Sequence, residues 1–124
     1  MTAATEGSIC IIDDDADVRN SLRALLSTHD FQVLDFPSAD AYLASAQSEA
    51  IACFLLDVQM PGTTGVELLE HLRDNGVKTP AIFLTANGTT RSSRFARAGV
   101  IAVLRKPVSD EELLKHIRVA LAGG

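Results

Sequence analysis

The chain has 124 residues, 47% hydrophobic and 22% charged, with 8 Gly and 4 Pro, which is the make-up of one globular domain and excludes a disordered or collagen-like chain. Its apolar runs are far shorter than the ~18–20 residues that span a bilayer, and the segment 1–7 lacks the basic start of a secretory leader, so a cytoplasmic protein is expected. The net charge of -5 is uneven, with 13 acids against 3 bases in residues 1–74 and 3 against 8 in residues 75–124, and an acidic whole argues against direct nucleic-acid binding.

In chain order, the first apolar run, 8–12, has the length of a strand and ends on Asp13, Asp14 and Asp15. Val18, Leu22, Leu25 and Leu26 then recur at helical spacing. A second run, 31–36, is followed by Ser38, which caps a second helix carrying Ala39, Tyr42, Leu43 and Ala46. The third run, 51–56, leads into Asp57, and Val66, Leu69 and Leu72 mark a third helix that Gly76 closes. The fourth run, 81–84, leads into Thr85 and a short helix over 90–98, closed by Gly99. The fifth, 101–104, leads into Arg105, Lys106 and Pro107. Ser109 and Glu112 then form a capping box for a last helix with Leu113, Ile117, Ala120 and Leu121 on its apolar face. Cys10 and Cys53 lie inside apolar runs and read as small buried hydrophobes, not as a disulfide or zinc ligands. His29, His71 and His116 fall at polar helix positions with no partner motif and read as solvated side chains.

Strands that alternate with helices form a parallel sheet covered on both faces, so the expectation is a single doubly wound α/β domain of (βα)5 type over residues 1–124, with its core at about 8–121. In such a sheet the ligand crevice lies beyond the carboxyl ends of the strands. There the sequence places an acid cluster (Asp13, Asp14, Asp15, Asp57), a hydroxyl (Thr85) and an ammonium (Lys106). Clustered carboxylates repel one another unless they share a cation, and oxygen ligands suit Mg²⁺. Lys106 is then a counter-charge, Thr85 a hydrogen-bond donor, and a carboxylate held between metal and lysine a nucleophile for aspartyl-phosphate chemistry. Singly, each residue is ordinary: Asp14 or Asp15 suits a helix cap, Lys-Pro a turn, and Thr85 a strand. Their joint occurrence at successive strand ends is what carries the reading.

The stretches Ile11-Ile12-Asp13-Asp14-Asp15, Leu55-Leu56-Asp57-Val58-Gln59-Met60-Pro61-Gly62 with Gly65, Leu84-Thr85-Ala86 and Arg105-Lys106-Pro107 resemble the receiver domains of two-component response regulators, over roughly 8–121. Within that family the runs 13–19 and 65–69 look most like the nitrogen-fixation regulator branch. The resemblance implies a flavodoxin-like sheet of order 2-1-3-4-5 and phosphoryl transfer to Asp57 from the phosphohistidine of a sensor histidine kinase or a phosphotransfer protein. It implies Mg²⁺ held by Asp13, Asp14, Asp57 and the backbone carbonyl of Gln59, with Lys106 and Thr85 bonding the phosphoryl group and a cis bond before Pro107. Such a domain is not an enzyme beyond its own phosphorylation and dephosphorylation. Its switching face is helix 4, strand 5 and helix 5, which meets an output domain or a second copy; here that face contains Arg91, Arg94 and Arg97. No nucleic-acid or membrane contact is implied, and Gln59 and Asn87 flank the acceptor where they tune phosphate lifetime.

Two departures stand out. Val103 occupies the place, three residues before Lys106, where receivers carry an aromatic, and the interval from Thr85 to Lys106 is 21 residues, one shorter than usual. They keep open an alternative, a receiver that acts as an interaction module without phosphate. A Mg²⁺-dependent phosphatase is disfavoured because Gln59 stands where a second Asp is needed. A flavin protein is disfavoured because the first loop is Asp-rich where Gly, Ser and Thr would cradle phosphate.

Overall fold

The computed structural model describes residues 7–45, 50–86 and 92–123. Five strands, β1 (Ser8–Ile12), β2 (Val33–Phe36), β3 (Ile51–Asp57), β4 (Ala81–Thr85) and β5 (Ala102–Arg105), alternate with five helices. These are α1 (Ala16–Thr28), α2 (Ala39–Ala44), α3 (Gly65–Asp74), α4 (Ser93–Ala98) and α5 (Asp110–Gly123). The strands pair in parallel in the order β2-β1-β3-β4-β5, as expected.

Strand alternation divides the core into two layers. Cys10, Ile12, Phe54, Leu56 and Phe83 point to the side covered by α2, α3 and α4, where Val66, Leu68, Leu69 and Leu72 meet them. Ile9, Ile11, Cys53, Leu55, Ile82 and Leu84 point to the side covered by α1 and α5, where Leu26, Leu113, Leu114 and Ile117 meet them. Each such large side chain, fully buried, stabilises the fold by about 1.5–3 kcal/mol. β1 and β4 are buried throughout, whereas β2, at the sheet edge, is half-buried along its length. Cys10 and Cys53 are unpaired and buried, and burial pushes both thiols up to about 12.

The boundaries move for identifiable reasons. The second strand starts at Val33, not residue 31, because the Phe31 amide closes the end of α1 by donating to the Leu26 carbonyl at 3.0 Å, with Asp30 at φ 69 in the turn between. β3 and β4 each run one residue further than the apolar runs, taking in Asp57 and Thr85, because the ladder continues to Asp57 opposite Leu84 and Thr85 opposite Arg105. For the same reason the fifth strand shifts to 102–105. Ser92 caps α4, and the expected positions 90 and 91, like Ala46 and Asn87, lie outside the described residues. On α1 only Leu26 is buried, with Val18, Leu22 and Leu25 half-buried.

Ser38 caps α2 as expected, and the Ser109 hydroxyl accepts the Glu112 amide at 3.1 Å. A reciprocal capping box that the sequence reading passed over opens α3: Thr64 Oγ1 accepts the Glu67 amide and Glu67 Oε1 accepts the Thr64 amide. Arg73, at the end of α3, donates to the Thr79 carbonyl at 2.7 Å, the Ala98 carbonyl at 2.9 Å and the Val77 carbonyl at 3.1 Å. It thereby ties α3, the turn before β4 and the end of α4 together. The peptide bond before Pro107 is cis. Among the described residues no helix is long and apolar enough to cross a membrane.

Candidate functional site

The fold brings the chemical residues of the sequence to one edge of the sheet. Asp13 is the first residue past β1, Asp57 the last of β3, Thr85 the last of β4 and Lys106 the first past β5. Backbone bonds fix these positions, with the Asp13 amide donating to the Phe36 carbonyl at 3.2 Å and the Lys106 amide to the Thr85 carbonyl at 2.8 Å. Asp13, Asp57 and Thr85 are 0%, 5% and 2% exposed, whereas Asp14 reaches solvent.

Asp13, Asp14 and Asp57 offer carboxylate oxygens that all lie within 4.8 Å of one another. Lys106 Nζ stands 2.8 Å from Asp13 Oδ2 and 3.5 Å from Asp57 Oδ2. The closer contact has the length of a charge-assisted hydrogen bond, and it is the contact that serves Asp13 Oδ2, which is buried. The other oxygens are better served: Asp13 Oδ1 accepts the Asp15 amide at 2.9 Å and Asp57 Oδ1 accepts the Gln59 amide at 3.2 Å. Asp15 itself caps α1, accepting from the amides of Asp17 and Val18, so of the three successive acids only Asp13 and Asp14 face the cluster.

The charge balance follows from this geometry. Burial, and then the charge of Asp13, push the Asp57 carboxyl up to about 7, against the smaller opposing pull of Lys106. Burial alone would lower Lys106, but its contact with Asp13 and the charges of Asp13 and Asp57 outweigh that and raise it. Among the described residues, three carboxylates cluster here and the Lys106 ammonium pairs with two of them, Asp13 and Asp57, so negative charge is left over. A hard divalent cation fits that donor set.

Two further residues of the quoted runs, Arg19 and Gly65, support the site. Arg19 Nη1 donates to the Asp13 carbonyl at 2.6 Å and so steadies the acidic loop from α1. Gly65, the first residue of α3, donates its amide to the Val58 carbonyl at 3.1 Å and lies so close to β3 that a Cβ there would run into the Asp57 carbonyl oxygen. Gly65 stood in the quoted motif, but only the packing explains why.

The arginines of the α4 region are placed differently from one another. Arg94 is engaged by Glu70 of α3 in a two-pronged pair, Nε and Nη2 each 2.8 Å from a carboxylate oxygen. Arg97 and Arg105 are exposed, and Arg91 lies outside the described residues. His29 and His71 are exposed and His116 is half-exposed, as expected.

The family model of the response regulator receiver domain matches residues 9–118. The chain is 35% identical over 118 residues to the transcriptional regulatory protein FixJ of Bradyrhizobium diazoefficiens, covering 94% of this chain and 58% of FixJ. It is 34% identical over 114 residues to the response regulator protein TodT of Pseudomonas putida, covering 91% and 50%. The chain thus spans between half and three fifths of the length of these curated relatives. Among solved structures, the response regulator StyR superposes with a TM-score of 0.86 at 36% identity, covering 93% of this chain and 59% of that one. The FixJ-N structure superposes with a TM-score of 0.82 at 32% identity, covering 93% of each chain.

Proposed function

The chain belongs to the response regulator receiver domain family of two-component signalling, most like the FixJ branch, and on that premise we propose that Asp57 is its phosphoacceptor in a Mg²⁺-dependent transfer. The observation that carries the proposal is the setting of Asp57, buried between a lysine ammonium and two further carboxylates at the carboxyl edge of the sheet. Family members receive their signal from histidine kinases or phosphotransfer proteins, and a phosphohistidine is the donor proposed here.

In the proposed step an Asp57 carboxylate oxygen attacks phosphorus, the new O–P bond forms as the N–P bond of phosphohistidine breaks, and the imidazole leaves. Asp13, Asp14, Asp57 and the backbone carbonyl of Gln59 would hold Mg²⁺, which when bound neutralises the clustered charge of carboxylates and phosphoryl oxygens. Lys106 exchanges Asp57 for a phosphoryl oxygen, and the Thr85 hydroxyl donates to another. Gly65 keeps α3 against Asp57 without a side chain in the way. An apolar groove of about 410 Å³, with Val18, Leu22, Pro107 and Val108 in its walls, opens beside Lys106 and offers a donor protein a seat.

The added charge of about -1.5 to -2 at Asp57 then alters the contacts of Thr85 and Lys106 and biases the face formed by α4, β5 and α5 toward an output domain or a second copy. The proposed unit spans about 8–121, acts in the cytoplasm, and catalyses nothing beyond its own phosphorylation and dephosphorylation. The phosphate-independent alternative gains no support from the comparisons.

The test is intact mass after incubation with acetyl phosphate and Mg²⁺. Wild type gains one phosphoryl group and Asp57→Asn gains none; no gain in wild type, with Mg²⁺ shown to bind, overturns the proposal.

A further inference from the structure

α4 is only six residues long; Ala98 is buried in the core beneath it, and three directed side-chain contacts hold it besides. At its start Arg94 pairs with Glu70 of α3. At its end Arg73 of α3 donates to the Ala98 and Gly99 carbonyls at 2.9 and 3.3 Å. Between them the Phe95 ring meets the Phe83 ring edge to face, with centroids 5.0 Å apart and planes at 77°. Of these three contacts only the last reaches the sheet. The strand it reaches is β4, which carries Thr85 two residues beyond Phe83 and on the same face of the sheet.

The two rings differ in freedom. Phe83 is fully buried and held in the ladder, with Val103 of β5 in register beside it. Phe95 is half-buried and borders an open groove of about 360 Å³, walled by Ser92, Ala96, Val100, Ile101 and Val103. A valine at 103 leaves room in that groove that a larger side chain would fill. Phe95 therefore has a second place to go, and an edge-to-face pair is weak enough to exchange for it. Coupling between sites needs an element with two such discrete arrangements.

We propose that Phe95 is the ring through which the state of Asp57 reaches α4. When Thr85 is drawn toward the phosphoryl group, the end of β4 shifts, the contact between Phe83 and Phe95 loosens, and Phe95 turns into the groove beside Val103, taking α4 with it. The inference rests on Asp57 being the phosphoacceptor and adds the route by which that event is read out.

The chain has five Phe and no Trp, which permits two independent probes. Wild-type protein labelled with fluorophenylalanine gives one fluorine resonance per ring. On acetyl phosphate and Mg²⁺, with mass confirming uptake, the resonances of Phe95 and Phe83 shift while that of Phe31, on the opposite face of the sheet, stays. In Phe95→Trp the new indole changes its emission under the same conditions, and Phe31→Trp does not. Phe95→Leu retains phosphoryl uptake but loses the phosphorylation-dependent change in hydrogen exchange of residues 93–98, a difference that a purely structural role would not produce. Uptake with an unmoved Phe95 resonance, or an equal shift at Phe31, overturns the inference alone. No uptake overturns the phosphoacceptor reading and the inference with it.

Discussion

The Lys106 ammonium sits 2.8 Å from Asp13 Oδ2, a buried oxygen, and 3.5 Å from Asp57 Oδ2. Lys106 is thus committed first to Asp13, and Asp57, at 3.5 Å, is left with the weaker share of its charge. Burial, and then the charge of Asp13, raise the Asp57 carboxyl to about 7, and this weaker share of Lys106 opposes them only in part.

Lys106→Met removes the ammonium that, among the described residues, pairs with this cluster. Losing one partner of a buried pair costs about 3–5 kcal/mol, and the partial exposure of Lys106 reduces this to about 2 kcal/mol. Thermal unfolding in EDTA should show that loss. Added Mg²⁺ should recover more stability in the variant than in wild type; equal recovery would mean that Lys106 and the cation do not answer the same charge.

The Asp57 carboxyl is raised from 3.8 to about 7 in the folded protein, so the fold prefers its protonated form. The stability this provides is full below about pH 4, where the unfolded chain is also protonated, and is lost as the pH rises through about 7. At about 1.4 kcal/mol per pKa unit the loss is a few kcal/mol. Metal-free wild type should therefore melt lower at pH 8 than at pH 5 by more than Asp57→Asn does, and Asp57→Asn should be the more stable protein at pH 8. Parallel pH profiles for the two would refute the assignment.

To act as the proposed nucleophile the same carboxyl must be ionised. At limiting Mg²⁺ the rate of phosphorylation by acetyl phosphate should climb through about pH 7, and the midpoint should fall as Mg²⁺ is raised, because the cation favours the ionised form. A midpoint indifferent to Mg²⁺ would argue that the cation does not touch Asp57.

Gly65→Ala places a methyl group against the Asp57 carbonyl oxygen and within 3.3 Å of Val58 Cα. Both are backbone atoms, so β3 or α3 must give way, at about 1–3 kcal/mol. Denaturant unfolding should show the loss, and phosphorylation should slow because the displaced backbone carries the proposed acceptor. Wild-type stability in this variant would mean that α3 does not lean on β3 as described.

Arg73→Lys keeps the charge but loses the planar fork that serves four carbonyls, those of Val77, Thr79, Ala98 and Gly99. A loss of about 2 kcal/mol is expected, since hydrogen bonds to charged groups contribute about 1.5–3 kcal/mol. Hydrogen exchange should rise at residues 93–98 more than in α1; a uniform rise would place Arg73 outside the support of α4.

Much of this molecule was legible because parallel strands buried on both faces must be apolar and must end at the crevice. Ser8–Ile12 ran true to the residue, and Asp13, Asp57, Thr85 and Lys106 announced themselves by following the apolar runs. What escaped depends on contacts between distant segments. Phe31 looks like a strand residue but serves the end of α1, and Arg94 looks like a free surface charge but meets Glu70, 24 residues away. Arg73 reaches Ala98 across 25 residues and binds carbonyls that every residue possesses, so no side-chain pattern marks it. The Thr64 and Glu67 capping box, by contrast, follows a readable local spacing and was simply passed over.

The most direct test traps the modified residue itself. After acetyl phosphate and Mg²⁺, borohydride reduces an acyl phosphate to the corresponding alcohol, and peptide mass spectrometry then reads the converted position. Homoserine at position 57, and at none of the other Asp positions, is the predicted result. Conversion at Asp13 or Asp14, or none at all in protein that binds Mg²⁺, would contradict the account.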